Sequence, residues 1–348
     1  MRNMLIALTL MFWLALLVSA GHSQSKHPSA RRDKQAFVYD INETDVRLSR
    51  IEKDGSLKAV YHNDTSYDND LSVGRLSRCI IATPNGRALY VSSDVDSNDY
   101  HSGQIIQFAI KKNGRLARLG SVDAGTLPLV LAMTRSGSFL YCVAEDGATR
   151  QGVLYQYKIE NDGVLSPLKP AFVNLGKNLF PSLAVAPSEK YLYISTYVSK
   201  VGKPICFRIT HSGALLRLPT PPTQENVETL VLSPSGKYAY CLQSGGVISV
   251  GAVDQVTGRF SQLHTVAHVP PASYSMTISP QRNTLQITNA YVNSKKIMIS
   301  GPISEFRLMP NGDLKPANPP TFPQTFPFIK SYGRLAPDPS KGFVVVTR

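Results

Sequence analysis

One ten-residue phrase recurs along the chain, and that recurrence limits the possible folds more than any other feature. LSPSGKYAYC at 232–241 has counterparts in ATPNGRALYV at 82–91, MTRSGSFLYC at 133–142 and VAPSEKYLYI at 185–194. Aligned on the turn residue, the phrase falls at Pro84, Arg135, Pro187, Pro234, Pro280 and Pro337, at intervals of about fifty residues. A second phrase follows: FAIKKNGRL at 108–116, YKIENDGVL at 157–165, FRITHSGAL at 207–215 and FRLMPNGDL at 306–314, with weaker copies SRIEKDGSL at 49–57 and VDQVTGRF at 253–260. Its glycines, Gly55, Gly114, Gly163, Gly213, Gly258 and Gly312, count six copies.

Between these landmarks lie only short apolar or alternating runs. In the second repeat they are RCIIAT, ALYVSS, QIIQFAIK and RLARLGSV. Runs of this kind bounded by PNG and KNG read as a four-stranded antiparallel meander. Glycine supplies the positive φ that the turn needs, and proline presets its first corner. No helical periodicity follows residue 20. A four-stranded sheet with two apolar faces must be covered on both, so the repeats are expected to stack around an axis as the blades of an all-β β-propeller. Counting gives six blades. AFVYDIN at 36–42 reads as a second strand with no first strand before it, and the terminal run ending in GFVVVTR supplies the missing inner strand and shuts the ring.

The N-terminus has a different character. Arg2, the apolar run MLIALTLMFWLALLV at 4–18 and the small-residue pattern Val18-Ser19-Ala20 read as an export signal. The run is shorter than the roughly 20 residues of a spanning helix, so no stable membrane span is expected after cleavage. The expected organisation is a signal peptide at 1–20, a polar flexible leader at 21–35 and one propeller domain at 36–348, periplasmic or secreted, acting as a monomer. NET at 42–44 and NDT at 63–65 are glycosylation sequons if the host is eukaryotic.

With 43% hydrophobic and 18% charged residues the chain has ample core material. The net charge of +13 is spread out, and Lys111, Lys112, Arg115 and Arg118 come nearest to a cluster. Charge is the sole argument for nucleic acid, and export opposes it, so none is expected. Cys142 and Cys241 follow a tyrosine at equivalent points of two repeats, and Cys79 and Cys206 fall in other strands. All four are expected as buried thiols rather than as a disulfide framework.

The phrases resemble the lactonase-type β-propeller family, that of 6-phosphogluconolactonase and carboxy-muconate cyclase, within the YVTN/WD40-like repeat superfamily. The likeness runs over nearly all of 36–348 in the pattern SPxGxxLYV…IxxFxIxxxGxL. Family members are typically seven-bladed, so the resemblance keeps seven blades open beside the six that counting gives. It also implies an active site at the channel mouth, with an Arg or His six residues before the turn proline and an Asn-Glu pair closing the next strand. Here the first position holds Arg78, Leu129, Pro181, Glu228, Tyr274 and Ser331. The second reads Ala144-Glu145 and Gln243-Ser244.

Four residues are therefore catalytic candidates: Arg78, Glu228, Tyr274 and Glu145. A carboxylate near the axis can act as general base on water, and an arginine can hold an anionic group or a developing oxyanion. The resemblance implies hydrolysis or cyclisation of a small anionic lactone of the sugar or muconate type. The alternative is a non-catalytic propeller that binds a protein or glycan partner. No cofactor is expected other than calcium at DVDSND, where Asp94, Asp96 and Asn98 resemble the start of a calcium loop, without its sixth-position glycine or twelfth-position glutamate. His264 and His268 in HTVAH would stand roughly 13 Å apart on a strand, too far to share one zinc.

Overall fold

The computed structural model describes residues 36–41, 45–52, 57–60, 76–94, 103–146, 149, 151–177, 181–196, 204–219, 227–270, 273–279, 283–292, 298–317 and 343–347. These residues form six four-stranded antiparallel sheets, so the all-β propeller expected from the repeats is what the chain adopts. In blades 2 to 6, whose strands lie within 76–123, 127–177, 181–217, 227–268 and 273–316, the four strands follow one another in sequence order. Blade 2 shows the pattern: Leu76–Ala82, Ala88–Asp94, Gly103–Ile110 and Leu116–Asp123. The first strands of neighbouring blades stand side by side, which puts them innermost, around the axis.

Blade 1 is built from both ends of the described chain. Its order is Phe343–Thr347, Ala36–Ile41, Val46–Ile51, Leu57–Ala59. The C-terminal strand runs antiparallel to the first N-terminal one, in the register Ala36↔Thr347 to Asp40↔Phe343. AFVYDIN is thus a second strand, and FVVVT is the inner strand it lacked. FVVVT takes the edge of Ala36–Ile41 that Val46–Ile51 leaves open.

Alternation decides what each blade buries. Along Ala88–Asp94 every residue is buried, because both faces of a second strand meet a neighbouring blade. Leu89 and Val91 join Phe37, Tyr39 and Phe108 in the core between blades 1 and 2. Ala88 and Tyr90, on the opposite face, join Leu140, Cys142 and Tyr157 between blades 2 and 3. Three further cores of this kind separate blades 3 to 6 among the described residues. Phe108, fully buried, contributes about 1.5–3 kcal/mol by its removal from water. Cys79, Cys142, Cys206 and Cys241 are buried free thiols in these cores.

The turn phrases do what their residues dictate, with one instructive departure. Gly86, Gly137 and Gly236 take positive φ at the first turn of their blades, and in blade 4 Glu189 occupies that place at φ 58. Its carboxylate explains why a side chain is tolerated there. It accepts from the backbone N–H of Ser136 and, at 2.8 Å, from the Ser136 hydroxyl, tying the turn of blade 4 to that of blade 3.

Candidate functional site

The first strands begin with a recurring irregularity. Pairing with the second strand slips by one residue between Ser77 and Cys79, Pro128 and Val130, Val227 and Thr229, and Ser273 and Ser275. The residues left out of the ladder are Arg78, Leu129, Glu228 and Tyr274, the positions six before the turn residue. A bulge of this kind bends the strand and re-aims the extra side chain. In blade 4 the corresponding Pro181 pairs with Thr196 without a slip. The position six before the turn residue is therefore, in structure, a bulge at the same end of the inner strands of blades 2, 3, 5 and 6.

Arg78 is engaged within its own blade. Its Nη2 lies 2.9 Å from Asp94 Oδ2, and its Nε lies 3.5 Å from Oδ1. The Arg78 side chain is 27% exposed and that of Asp94 12%. Burial pushes the Asp94 carboxyl above its ordinary value, and the hydrogen bond and charge of Arg78 oppose the shift without cancelling it. Desolvating a carboxylate costs more here than one partly wet pair returns. Two contacts fix the guanidinium plane, and Nη1 on its other side carries two further N–H donors.

Glu145 stands where Asp94 stands, one blade further on. Asp94 closes its strand opposite Leu76 and Gly103, and Glu145 closes Phe139–Glu145 opposite Leu127 and Gly152. It is buried, at 6% exposure. Sequence reasoning assigned Asp94 to a metal loop and Glu145 to catalysis, whereas the fold gives the two carboxylates equivalent places on adjacent blades. Asp96 and Asn98 lie outside the described residues. Among the described residues no group of three or more His, Cys, Asp or Glu side chains is arranged to hold a metal. His264 and His268 are both exposed on the outer strand of blade 5, and His264 Nε2 lies 3.8 Å from Asp313.

Glu228 is half-buried on its bulge in blade 5. Burial pushes its carboxyl up, with a hydrogen bond from Ser244 acting in the opposite direction. Two serines of blade 4 set its backbone, and sequence reasoning had passed over both. Ser195 Oγ donates to the Glu228 carbonyl at 2.8 Å and accepts from the Ser182 N–H at 3.1 Å. Ser182 Oγ accepts from Leu230 N–H at 3.0 Å and donates to the Leu230 carbonyl at 3.2 Å. The bulge is stapled to its neighbour at Glu228 itself and at Leu230, two residues on. The Tyr274 side chain lies outside the described residues.

The asparagine that the resemblance implies has a counterpart in blade 6, which sequence reasoning also missed. Asn289, 1% exposed, ends the ladder of blade 6 opposite Ser273. Its Oδ1 accepts from Ser273 Oγ and its Nδ2 donates to Ser304 Oγ at 3.1 Å. The next residue is Ala290, so the asparagine of this chain and its Glu145 belong to different blades. Among the described residues Arg78 meets Asp94, and no ion pair joins it to Glu228.

Six four-stranded meanders, four of whose inner strands bulge at the same end, define a β-propeller, and that end is the candidate site. Within that class, residues 89–218 match the family described as Lactonase, 7-bladed beta-propeller, so the resemblance carried by the repeat phrases is borne out over that stretch. The six described blades compare with seven in the family's description. No curated protein matches the sequence. Among solved structures, a Lactobacillus plantarum protein is similar at 16% identity and TM-score 0.60, over 83% of this chain and 82% of that one. Sqt1 from Chaetomium thermophilum is similar at 14% identity and TM-score 0.51, over 82% and 68%. A Bacteroides fragilis protein provisionally assigned as a 6-phosphogluconolactonase is similar at 15% identity and TM-score 0.49, over 84% and 96%. At such identities the likeness to the Lactobacillus plantarum protein and to Sqt1 is one of fold.

Proposed function

We propose that the protein is an exported, monomeric lactonase-type hydrolase that opens a small anionic lactone at the channel mouth. The observation that carries this reading is the placement of Glu228 and Arg78 on equivalent bulges, one a carboxyl with its pKa raised by burial and the other a guanidinium oriented by Asp94. A base with a raised pKa takes a proton from water more readily than an ordinary carboxylate does. In the reaction Glu228 removes a proton from water as its oxygen bonds to the lactone carbonyl carbon. The tetrahedral intermediate then expels the ring oxygen, which receives the proton from Glu228. The product is the hydroxy acid.

Arg78 Nη1 would hold the carboxylate or phosphate of a muconate- or sugar-type lactone. Asp94, Glu145 and Glu228 at this end favour that one place for an anion over the rest of the mouth. The positive start, apolar run and small-residue pattern of residues 1–20 support export, and they lie outside the described residues. Processing is checked by sequencing the exported protein, whose first residue is expected to be Gly21. Recovery with Met1 intact would defeat it.

The catalytic reading is tested by a hydrolysis screen of neutral and anionic lactones. Glu228→Gln is expected to lower kcat about 10²–10⁴-fold, and Arg78→Gln to raise KM for the anionic lactones only. Equal turnover by wild type and Glu228→Gln would sink the assignment. A non-catalytic propeller that binds a protein or glycan is the second reading. What favours it is that Asp94 already occupies two donors of Arg78.

A further inference from the structure

At the end of the molecule opposite Arg78 and Glu228, three turns of blades 2 and 3 carry an excess of positive charge. In a meander the first and third turns share one end, and in blade 2 these are 83–87 and 111–115. They are joined by the Ile110 N–H, which donates to the Arg87 carbonyl at 2.7 Å. The first turn of blade 3 abuts them, since a Cβ on Gly137 would lie 3.1 Å from Pro84 Cδ. Together the three turns present Arg87, Lys111, Lys112, Arg115 and Arg135, all exposed. Among the described residues none of these five is ion-paired, whereas Arg50, Arg78 and Lys158 have Glu52, Asp94 and Glu160. The bordering acids are Glu160 and Asp162, on the third turn of blade 3, and Glu189; Lys158 holds Glu160 and Ser136 holds Glu189. In blades 5 and 6 the same turns mix Lys237 and Arg259 with Asp254 and Asp313, so the excess is local.

We propose that this three-turn face binds an anionic polysaccharide, a uronate or sulfated chain. Spaced anions along such a polymer match spaced cations on separate turns. The exposed amides of Asn85 and Asn113 spend their Oδ1 on the backbone N–H of Arg87 and Arg115, at 3.0 and 3.1 Å, and their NH₂ groups can meet sugar hydroxyls. Two other polyanionic partners fit less well. The exposed large apolar side chains among the described residues, Leu119, Phe172, Leu216 and Val256, all lie outside these turns, and a bilayer surface is gripped by apolar area as well as charge. The turns also hold no aromatic ring on which a nucleic-acid base would stack.

The test uses the full chain on immobilised heparin and in titrations with polygalacturonate at fixed salt. Lys111→Glu/Lys112→Glu/Arg115→Glu is expected to elute at lower salt and to bind polygalacturonate about tenfold or more weakly. Lys237→Glu/Arg259→Glu/Lys315→Glu makes the same change of charge at the same end of blades 5 and 6. It is expected to stay within about twofold of wild type. The milder Lys111→Gln/Lys112→Gln repeats the comparison without charge reversal, with melting curves confirming that each variant is folded. Equal losses in the two triple variants would overturn the proposal, because net charge alone would then explain binding. Tighter binding to phosphatidylserine vesicles or to duplex DNA than to either polysaccharide would overturn it as well. Lactone hydrolysis is read at the other end of the molecule, so failure here and failure there are separate results.

Discussion

The phenol of Tyr90 in blade 2 donates to the carbonyl of Gly163, 73 residues away in blade 3, at 2.8 Å. The same bond recurs from Tyr39 to Gly114, from Tyr141 to Gly213 and from Tyr193 to Gly258. It joins the two phrases of the repeat. The tyrosine of the first phrase reaches across the blade interface to the turn glycine of the second phrase in the next repeat. The glycine is needed for a further reason, shown best at Gly213, where φ is +83 and an added Cβ would lie 2.2 Å from the ring of Phe139. Burial, reinforced by Asp162, pushes the Tyr90 phenol up, so it remains a donor over all ordinary pH.

Removing one such bond should cost more than removing a hydroxyl that makes none. Tyr90→Phe leaves the Gly163 carbonyl without its donor and is expected to destabilise the protein by about 1–3 kcal/mol. Tyr240 occupies the corresponding place in blade 5, and its hydroxyl finds no partner among the described residues. Tyr240→Phe is expected to be neutral or stabilising. Urea melts of the two variants side by side check the contrast, and equal losses would refute the role assigned to the Tyr90 bond.

The raised pKa of Glu228 makes a statement about stability. The folded protein holds this proton more tightly than the unfolded chain does. Stability is therefore highest below the unfolded-state pKa and falls as pH rises from there through the folded-state pKa. Asp94, also raised, contributes with the same sign. Glu228→Gln removes the larger part of its own contribution, so the melting temperature should decline less from acid to neutral pH than that of wild type. Parallel melting curves across pH would mean that burial of the charged form carries no penalty.

The C-terminal strand completes blade 1 by backbone pairing with Ala36–Ile41. Deleting 342–348 uncovers the edge of Ala36–Ile41, which then presents unpaired donors and acceptors to solvent or to another molecule. The expected result is aggregation, or a fall in melting temperature of more than about 5 °C. A truncated protein that stays monomeric and melts with the parent would show that the pairing is dispensable.

The thiols should be silent until the blades separate. Burial pushes Cys142 well up and Cys206 up to about 12, which removes the reactive thiolate. A thiol reagent added to native protein is expected to find no cysteine, and after denaturation to find all four. A mapped disulfide, or fast labelling of Cys142 in the native state, would contradict the burial.

What the sequence by itself determined is whatever depends on neighbours along the chain. SPSG and KNG make turns because proline and glycine restrict or release φ locally. The runs between them alternate because a strand exposes its side chains to two faces. Burial of Cys142 and Cys241 followed from their place beside a tyrosine in equivalent strands, and the unpaired AFVYDIN announced that some other segment must complete its sheet. Those inferences use interactions a few residues long, or the repetition of them.

Only the tertiary structure decided the pairings between blades, whose partners are separated in sequence by tens of residues and by no fixed local signal. Asp94 looked like the head of a calcium loop because its neighbours are acidic, but a strand reversal brings it to Arg78. Arg78 and Glu228 were visible as members of a spaced series, while the bulge that aims them arises from a slipped register against the second strand. Ser182 and Ser195 carry no motif, because their role is to hold the backbone of another blade. Glu189 breaks the glycine rule of its own turn, and the reason stands on the turn of the blade before it.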